Sequence, residues 1–285
     1  MPAASGGRER ASNLYGTASV LKNLLPTLGV YAAVPIVADR SVLATVCLAP
    51  LIGLLLYRLT IVMHDCGHAT LFTSRRVNDT VGILLGAVTG ISFRRFRARH
   101  WEHHRNYGHE RDPQGFHYRG LARMTNAELV RHVLAPLVGV NLRYVFPESY
   151  LYPANVARAS RGELAALATL QLLLAGLITG LGRHPFAALL PAGSAVTFGL
   201  FFSQLRGIAE HGVRDAGDPR GFVRSHRADW LGALLLYDLD FNLHEEHHTH
   251  PQVPSCVLAA HARARRDAAY KARTTMWQTL RGMLR

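Results

Sequence analysis

Four stretches of this chain are long and apolar enough to cross a lipid bilayer, and that limits its fold more than any other feature. Val20 to Ala38 runs for 19 residues with one charge, at Lys22. Ser41 to Tyr57 carries no charge, and apolar character resumes from Leu59 to Met63. Leu164 to Leu181 and Phe186 to Leu205 form a second such pair. A helix needs about 20 apolar residues to cross a hydrocarbon layer of roughly 30 Å, and inside that layer the chain must satisfy its own backbone N–H and C=O groups. Helices are therefore expected in all four. Only Asp39 and Arg40 separate the first two stretches, and Gly182-Arg183-His184-Pro185 separates the last two. Links this short imply two antiparallel hairpins. A fifth apolar piece, Val81 to Ile91, is too short to cross and reads as re-entrant or interfacial. A moderately apolar patch, His132 to Val145, fits the membrane surface.

Parity sets the sidedness. Two hairpins return the chain to its starting face, so the N-terminus, the loop from 94 to 162 and the C-terminal region share one side. That side holds Arg8, Arg10 and twelve arginines between positions 94 and 161. The other side offers only Asp39, Arg40, Arg183 and His184. The arginine excess marks the rich side as cytoplasmic. A basic membrane face accounts for the formal net charge of +13, and no helix-turn-helix, zinc-finger or RNA-binding motif argues for nucleic acid. Three widely spaced cysteines, Cys47, Cys66 and Cys256, do not make a disulfide framework. The polar first residues lack the apolar core of a cleaved signal peptide, so the first apolar stretch is expected to stay in the membrane. Residues 1–16 read as a disordered tail, 17–265 as one membrane domain and 266–285 as a basic tail.

Histidine carries the chemistry. Of sixteen histidines, eight fall in three clusters: His64 and His68 in HDCGH, His100, His103 and His104 in HWEHH, and His244, His247 and His248 in HEEHH. Residues three and four apart on a helix share a face, so each cluster is expected to aim two or three imidazoles at one point. Neutral imidazole binds iron, zinc and copper well. The first cluster ends the second apolar stretch, the second follows the short apolar piece, and the third lies in the C-terminal region. All three can meet just beneath the membrane. Eight rings exceed the needs of one ion, because zinc sites are usually four-coordinate. Two metals with open positions fit better, and oxidative chemistry with O₂ points to iron, since zinc has no redox states to use. His109, His117, His132, His226, His250 and His261 read instead as surface or internally satisfied histidines.

Two other patterns stay open at this level. The third cluster also satisfies HExxH, the zinc metalloprotease motif, with Glu245 as general base. That reading leaves the other two clusters unexplained. Arg94, Arg95, Arg97, Arg99 and Arg105 read first as a belt against anionic lipid, and second as a site for an anionic head group or an electron-donor protein. Phe93, Phe96, Trp101, Phe116 and Tyr118 suit either interfacial anchoring or the lining of a substrate tunnel.

The order HxxxH, HxxHH, HxxHH, with Asn242-Leu243 before the last cluster and Pro251-Gln252-Val253-Pro254 after it, resembles the membrane-bound fatty acid desaturase superfamily over residues 40–265. The resemblance implies two iron ions and O₂ as co-substrate, oxidising an unactivated C–H bond in a lipid-like substrate. Fatty acyl desaturation is the foremost expectation, with hydroxylation or ketolation of an acyl chain, alkane or carotenoid as the alternative. It further implies a ninth ligand from a histidine after the fourth membrane helix, which here is His211. Asp65, Glu210 and Asn242 are then candidates to accept the outward N–H of a ligand ring and fix its orientation. His244 stands where front-end desaturases carry glutamine. No His-Pro-Gly-Gly stretch of a fused cytochrome b5 occurs, so a separate ferredoxin-like or cytochrome b5-like donor is expected. The expected fold is all-α: an integral-membrane bundle of four spanning helices in two hairpins, a short re-entrant or interfacial piece, and a cytoplasmic helical cap that carries the histidine clusters.

Overall fold

The computed structural model describes residues 10–214, 222–264 and 273–284, and every element named here lies within them. The helices in chain order are α1 (Asn13–Ala38), α2 (Val42–Val46), α3 (Ala49–His68), α4 (Arg75–Thr89), α5 (Phe93–Asn106), α6 (Asn126–Leu134), α7 (Leu142–Val145), α8 (Pro153–Arg158) and α9 (Arg161–Gly180). They continue with α10 (Leu190–Ser194), α11 (Leu200–His211), α12 (Trp230–Leu235), α13 (His244–Thr249), α14 (Ser255–Ala264) and α15 (Met276–Gly282). Serine starts several of them. The hydroxyls of Ser12, Ser41, Ser74 and Ser160 accept the first free N–H groups of α1, α2, α4 and α9, which is what an N-terminal cap does. Thr125 and Glu128 form a reciprocal capping pair at α6.

Four helical runs are long and apolar enough to cross a membrane: Asn13–Ala38, Val42–His68, Arg161–Gly180 and Pro185–His211. They coincide with the four apolar stretches and overrun them. Residues 13–16, expected in a tail, already belong to α1, and residues 1–9 lie outside the described residues. The short piece expected over 81–91 is the second half of the longer helix α4, which opens at Arg75 and stops at Gly90 in the left-handed region (φ 76°). The patch expected at 132–145 is broken into α6, a 3₁₀ turn and α7, and the runs Asn126–Val138 and Leu142–Glu148 meet at 65°. Of the basic tail, 266–272 and Arg285 lie outside the described residues, while α15 packs on α11 with Met276 fully buried.

Helix α3 is the axis of the bundle. It packs against α1, α4, α5 and the fourth long run, and most of its residues are buried. Close approach to the fourth run is possible because position 53 is glycine. A Cβ there would stand 2.5 Å from Phe198 Cβ and 2.8 Å from the Ser194 carbonyl oxygen. The fourth run widens into a π turn over Ala195–Gly199 at this crossing. The extra residue in that turn re-aims the next helix, α11, which ends in His211.

One buried polar cage ties the C-terminal region to this bundle. Arg58, in the middle of α3, donates to Asn23 Oδ1 of α1 (3.0 Å), to Asp238 Oδ2 (2.8 Å) and to the carbonyls of Ala233 (2.8 Å) and Leu234 (3.0 Å). Asp238 also accepts from Asn23 (2.9 Å), Lys22 (2.7 Å) and the Leu239 N–H (3.0 Å). The Tyr57 hydroxyl donates to the Leu236 carbonyl. An arginine within an apolar run survives only with such partners. Burial alone would raise the Asp238 carboxyl, but its bonds to Lys22 and Asn23 and the Arg58 charge bring it below the ordinary carboxylate value. Beyond the cage the backbone turns through two successive left-handed residues, Leu239 (φ 55°) and Asp240 (φ 57°), and then enters α13. Asp238→Ala would leave Arg58 buried without its counter-charge. The expected cost is about 3–5 kcal/mol, the usual penalty for breaking one side of a buried ion pair, read as a lowered unfolding midpoint in detergent.

Candidate metal centre

The three clusters and His211 arrive from four directions at one place. His64 and His68 sit on the last turn and a half of α3, which ends at once because Ala69 takes the left-handed conformation (φ 59°). His100, His103 and His104 lie on the second half of α5, His211 closes α11, and His244, His247 and His248 lie on α13. Their ring nitrogens form two adjacent groups, within each of which all ligand atoms lie no more than 4.8 Å apart. One consists of His64, His68, His100, His104 and His247, the other of His103, His211, His244 and His248. Either could hold a metal ion.

The clusters are not one-to-one with the groups. Spacing alone aims each cluster at one point, but the second and third divide. His100 and His104 go to the first group and His103 to the second. His244 and His248 go to the second group and His247 to the first. The helical step explains this. At 3.6 residues per turn, positions i and i+4 point about 40° apart, while i+3 lies about 60° to the other side of i. The i, i+4 pairs stay together and the i+3 ring crosses over.

The inward nitrogens crowd one another. His68 and His100 place Nε2 atoms 2.8 Å apart, His100 and His104 2.9 Å, His104 and His247 3.2 Å, and His211 and His244 2.9 Å. Nε2 of His64 and of His103 is buried without a hydrogen-bond partner. Burial, reinforced by the neighbouring imidazoles, holds His100, His244, His247 and His248 well below the ordinary imidazole value, so these rings are neutral. Neutral buried imidazoles that point lone pairs at a common centre leave those nitrogens unsatisfied unless a cation lies between them. The donor set fits a resident metal on that ground. It is all imidazole, which suits iron, zinc and copper, and five donors in the first group exceed a four-coordinate zinc site.

Outward nitrogens are held where the chain has a partner to offer. His64 Nδ1 lies 3.1 Å from Asp65 Oδ1, and the other Asp65 oxygen accepts from the Ser255 hydroxyl of α14. His211 Nδ1 donates to the Phe222 carbonyl at 2.7 Å. His103 Nδ1 meets both oxygens of Asp112, at 2.9 and 3.0 Å, and Asp112 also accepts from Tyr118 and from the Gln114 N–H. Burial would raise the Asp112 carboxyl, but these donors bring it below the ordinary value. Sequence reasoning missed Asp112. It stands eight residues past the second cluster in a polar loop, with no periodicity to mark it.

Two expected supporting residues behave otherwise. The Asn242 amide donates to the His226 carbonyl (3.0 Å), fixing the backbone ahead of α13 and not a ligand ring. Glu210 Oε2 stands 3.4 Å from Nε2 of His244, its inward nitrogen, and accepts from Arg206 at 3.0 Å. Glu245, the base of the metalloprotease reading, is exposed. Three of the five arginines near the second cluster are paired: Arg94 with Glu163, Arg97 with Asp79 and Arg99 with Glu148. Trp101 packs edge-on to His68 (4.8 Å between centroids) and Phe96 lies parallel to His100 (5.9 Å). His117, His132 and His226 belong to neither group and bond to Gln204, the His117 carbonyl and the Ala209 carbonyl.

Asp112→Asn keeps the shape but places an amide against the His103 ring. Metal affinity of the four-histidine group is expected to fall about 10–100-fold, the usual effect of losing the partner of a ligand's outward N–H. Competition with a chromophoric chelator measures it, and an unchanged affinity would mean that Asp112 does not orient His103.

The sequence is similar to those of known desaturases. A soybean (Glycine max) chloroplastic omega-3 fatty acid desaturase is 25% identical over 235 residues, 71% of this chain and 50% of its own length. An endoplasmic-reticulum omega-3 desaturase of Vigna radiata var. radiata is 29% identical over 121 residues, 40% of this chain and 28% of its own. A chloroplastic sn-2 acyl-lipid omega-3 desaturase (ferredoxin) of Arabidopsis thaliana is 31% identical over 65 residues, 23% of this chain and 15% of its own. The chain thus spans about half the length, or less, of these relatives. The pattern of the fatty acid desaturase family covers residues 41–280, which include all nine converging histidines and all four long helical runs except the first, and the chain belongs to that family.

Proposed function

We propose that the chain is a membrane-bound di-iron oxidoreductase that uses O₂ to introduce a double bond into a fatty acyl chain. The observation that carries this reading is the convergence of nine ring nitrogens in two adjacent groups, three of them at the ends of long apolar helical runs. His64, His68, His100, His104 and His247 would hold one ion, and His103, His211, His244 and His248 the other. Bound iron would supply the redox power to activate O₂ against an unactivated C–H bond. The rest is positioning by the chain. Asp65, Asp112 and the Phe222 carbonyl set the ring orientations of His64, His103 and His211. Phe241 packs at 4.4 Å on His64, 5.5 Å on His247 and 6.1 Å on His244, an apolar surface shared by both groups. Such a surface suits a methylene chain and keeps water away from the reacting carbon.

An acyl substrate and desaturation, in preference to hydroxylation or ketolation, are favoured by the relatives, whose names specify fatty acid desaturases. The Arabidopsis relative is named for ferredoxin, and we assign electron supply to a separate ferredoxin-like or cytochrome b5-like protein. The four long helices would form two hairpins, with both termini and the site on the cytoplasmic side. There α12 to α15 would cap the bundle within a membrane domain of residues 17–265 and its flanks.

Lipid profiling of cells with and without the protein tests the reaction. A new double bond is expected with the wild type and none with His247→Ala. Purified active protein is expected to carry about two irons per chain, because each group has donors for one ion. A new hydroxyl or keto product would overturn desaturation, and active protein with zinc alone would overturn the di-iron reading.

A further inference from the structure

We infer that the strip of surface from Trp101 to Tyr107, rimmed by Arg105 and Arg111, docks an acidic one-electron carrier and passes its electrons to the two histidine groups. The role rests on the di-iron reading above, which requires an outside source of electrons. Removing two hydrogen atoms from an acyl chain supplies two of the four electrons, and two of the four protons, that turn O₂ into two waters. The carrier, oxidised in two one-electron steps, supplies the other two electrons, and solvent supplies the other two protons.

The two groups have one side nearer the surface. Six of the nine rings are buried, and His68, His104 and His248 are half-buried. These three form a continuous row. His68 lies 4.9 Å from His104 between ring centroids, and His104 stacks on His248 at 4.2 Å, which joins one group to the other. Two aromatic side chains cover the row from outside. Trp101, half-buried, meets His68 at 4.8 Å and His104 at 5.6 Å. Tyr107, 38% exposed, meets His248 edge-on at 4.8 Å. A carrier seated on these two side chains would be one ring away from a histidine of each group, and electron tunnelling falls off steeply with distance. The opposite side belongs to Phe241, which packs on the buried rings of His64, His244 and His247. Substrate and electrons thus have separate approaches.

Charge and composition select the occupant. Trp101 lies on one stripe of α5, with Arg97 four residues before it and Arg105 four residues after it. Arg97 is held by Asp79. Arg105 and Arg111 are exposed and form no ion pair among the described residues. From 94 to 111 the chain holds six arginines against two glutamates, and no leucine, isoleucine or valine. The strip therefore offers lipid no aliphatic surface, unlike Val130, Leu134 and Val138, which are exposed in and just after α6. Accessible aromatic rings among arginines are instead what a protein partner uses as anchors, and the positive charge steers an acidic one.

The test uses the full chain purified with its iron in detergent, and an acidic plant-type ferredoxin and an acidic cytochrome b5 domain as separate probes. Binding of the oxidised carrier is measured by surface plasmon resonance. Reduction of the bound iron by the reduced carrier is followed without O₂ by stopped flow, with photoreduced deazaflavin, which needs no docking site, as the reference reductant. Arg105→Glu and Tyr107→Ala are each expected to weaken binding of one carrier about tenfold or more, and to slow its reduction of iron relative to deazaflavin. Tyr107→Phe, which keeps the ring, and Arg183→Glu, on the link between the third and fourth long runs, are expected to match the wild type. Added salt is expected to weaken wild-type binding more than that of Arg105→Glu. A response from either carrier supports the docking site, and the one that responds identifies its class. Equal binding and equal relative rates in wild type, Arg105→Glu and Tyr107→Ala would overturn the proposal, as would wild type that binds neither carrier. Wild-type protein without iron would remove the di-iron reading, whereas binding that still depends on Arg105 and Tyr107 would leave the docking site standing.

Discussion

The structure is organised around a problem of electrostatic repulsion between lone pairs. Nine imidazoles turn electron-rich nitrogens toward two small volumes from which water is largely excluded. No hydrophobic gain explains that arrangement, since an unsatisfied buried nitrogen costs free energy. The fold accepts the cost because helices, polar ties and outward hydrogen bonds leave the rings little choice. Ala69 stops α3 right after His68, the cage around Arg58 fixes the approach to α13, and the crossing at Gly53 sets the path of the fourth run toward His211. The cage and the crossing lie away from the nitrogens they position, whereas Ala69 directly follows its histidine.

Much of the bundle is legible in the sequence because the bilayer imposes a simple rule, about 20 apolar residues for each crossing. The four stretches that satisfy it are helices, though each helical run is longer than its apolar part. Capping serines and a terminal histidine extend a helix where hydropathy has already fallen, as at Arg161 and His211. Hydropathy cuts α4 too short for the same reason, since its first turn, Arg75-Arg76-Val77-Asn78, is polar. The break of α6 and α7 and the two left-handed residues at 239–240 leave no mark in composition, because packing partners distant in sequence decide them.

The site is legible to a different depth. The clusters name eight converging rings, and family resemblance supplies His211. Spacing cannot reveal that two clusters split, because the distribution depends on how α5 and α13 are rotated about their own axes. Supporting residues are the least legible. Asp65 is adjacent to a ring and can be found, whereas Asp112 reaches His103 through a loop and cannot. Asn242 and Glu210 lie within two residues of a histidine, yet one turns to the His226 backbone and the other to an inward nitrogen. Proximity in sequence picks out candidates, and only the direction of the side chain assigns them.

The division of α5 and α13 between the two groups has a mechanical consequence. Each of these helices is a rigid lever with rings in both groups, and α13 is only six residues long. Rotating α13 to improve the fit of His244 and His248 must also move His247 in the other group. The two groups therefore cannot be adjusted separately: a metal in either one would pre-organise its neighbour, and strain at one would be felt at the other without any direct bond between them.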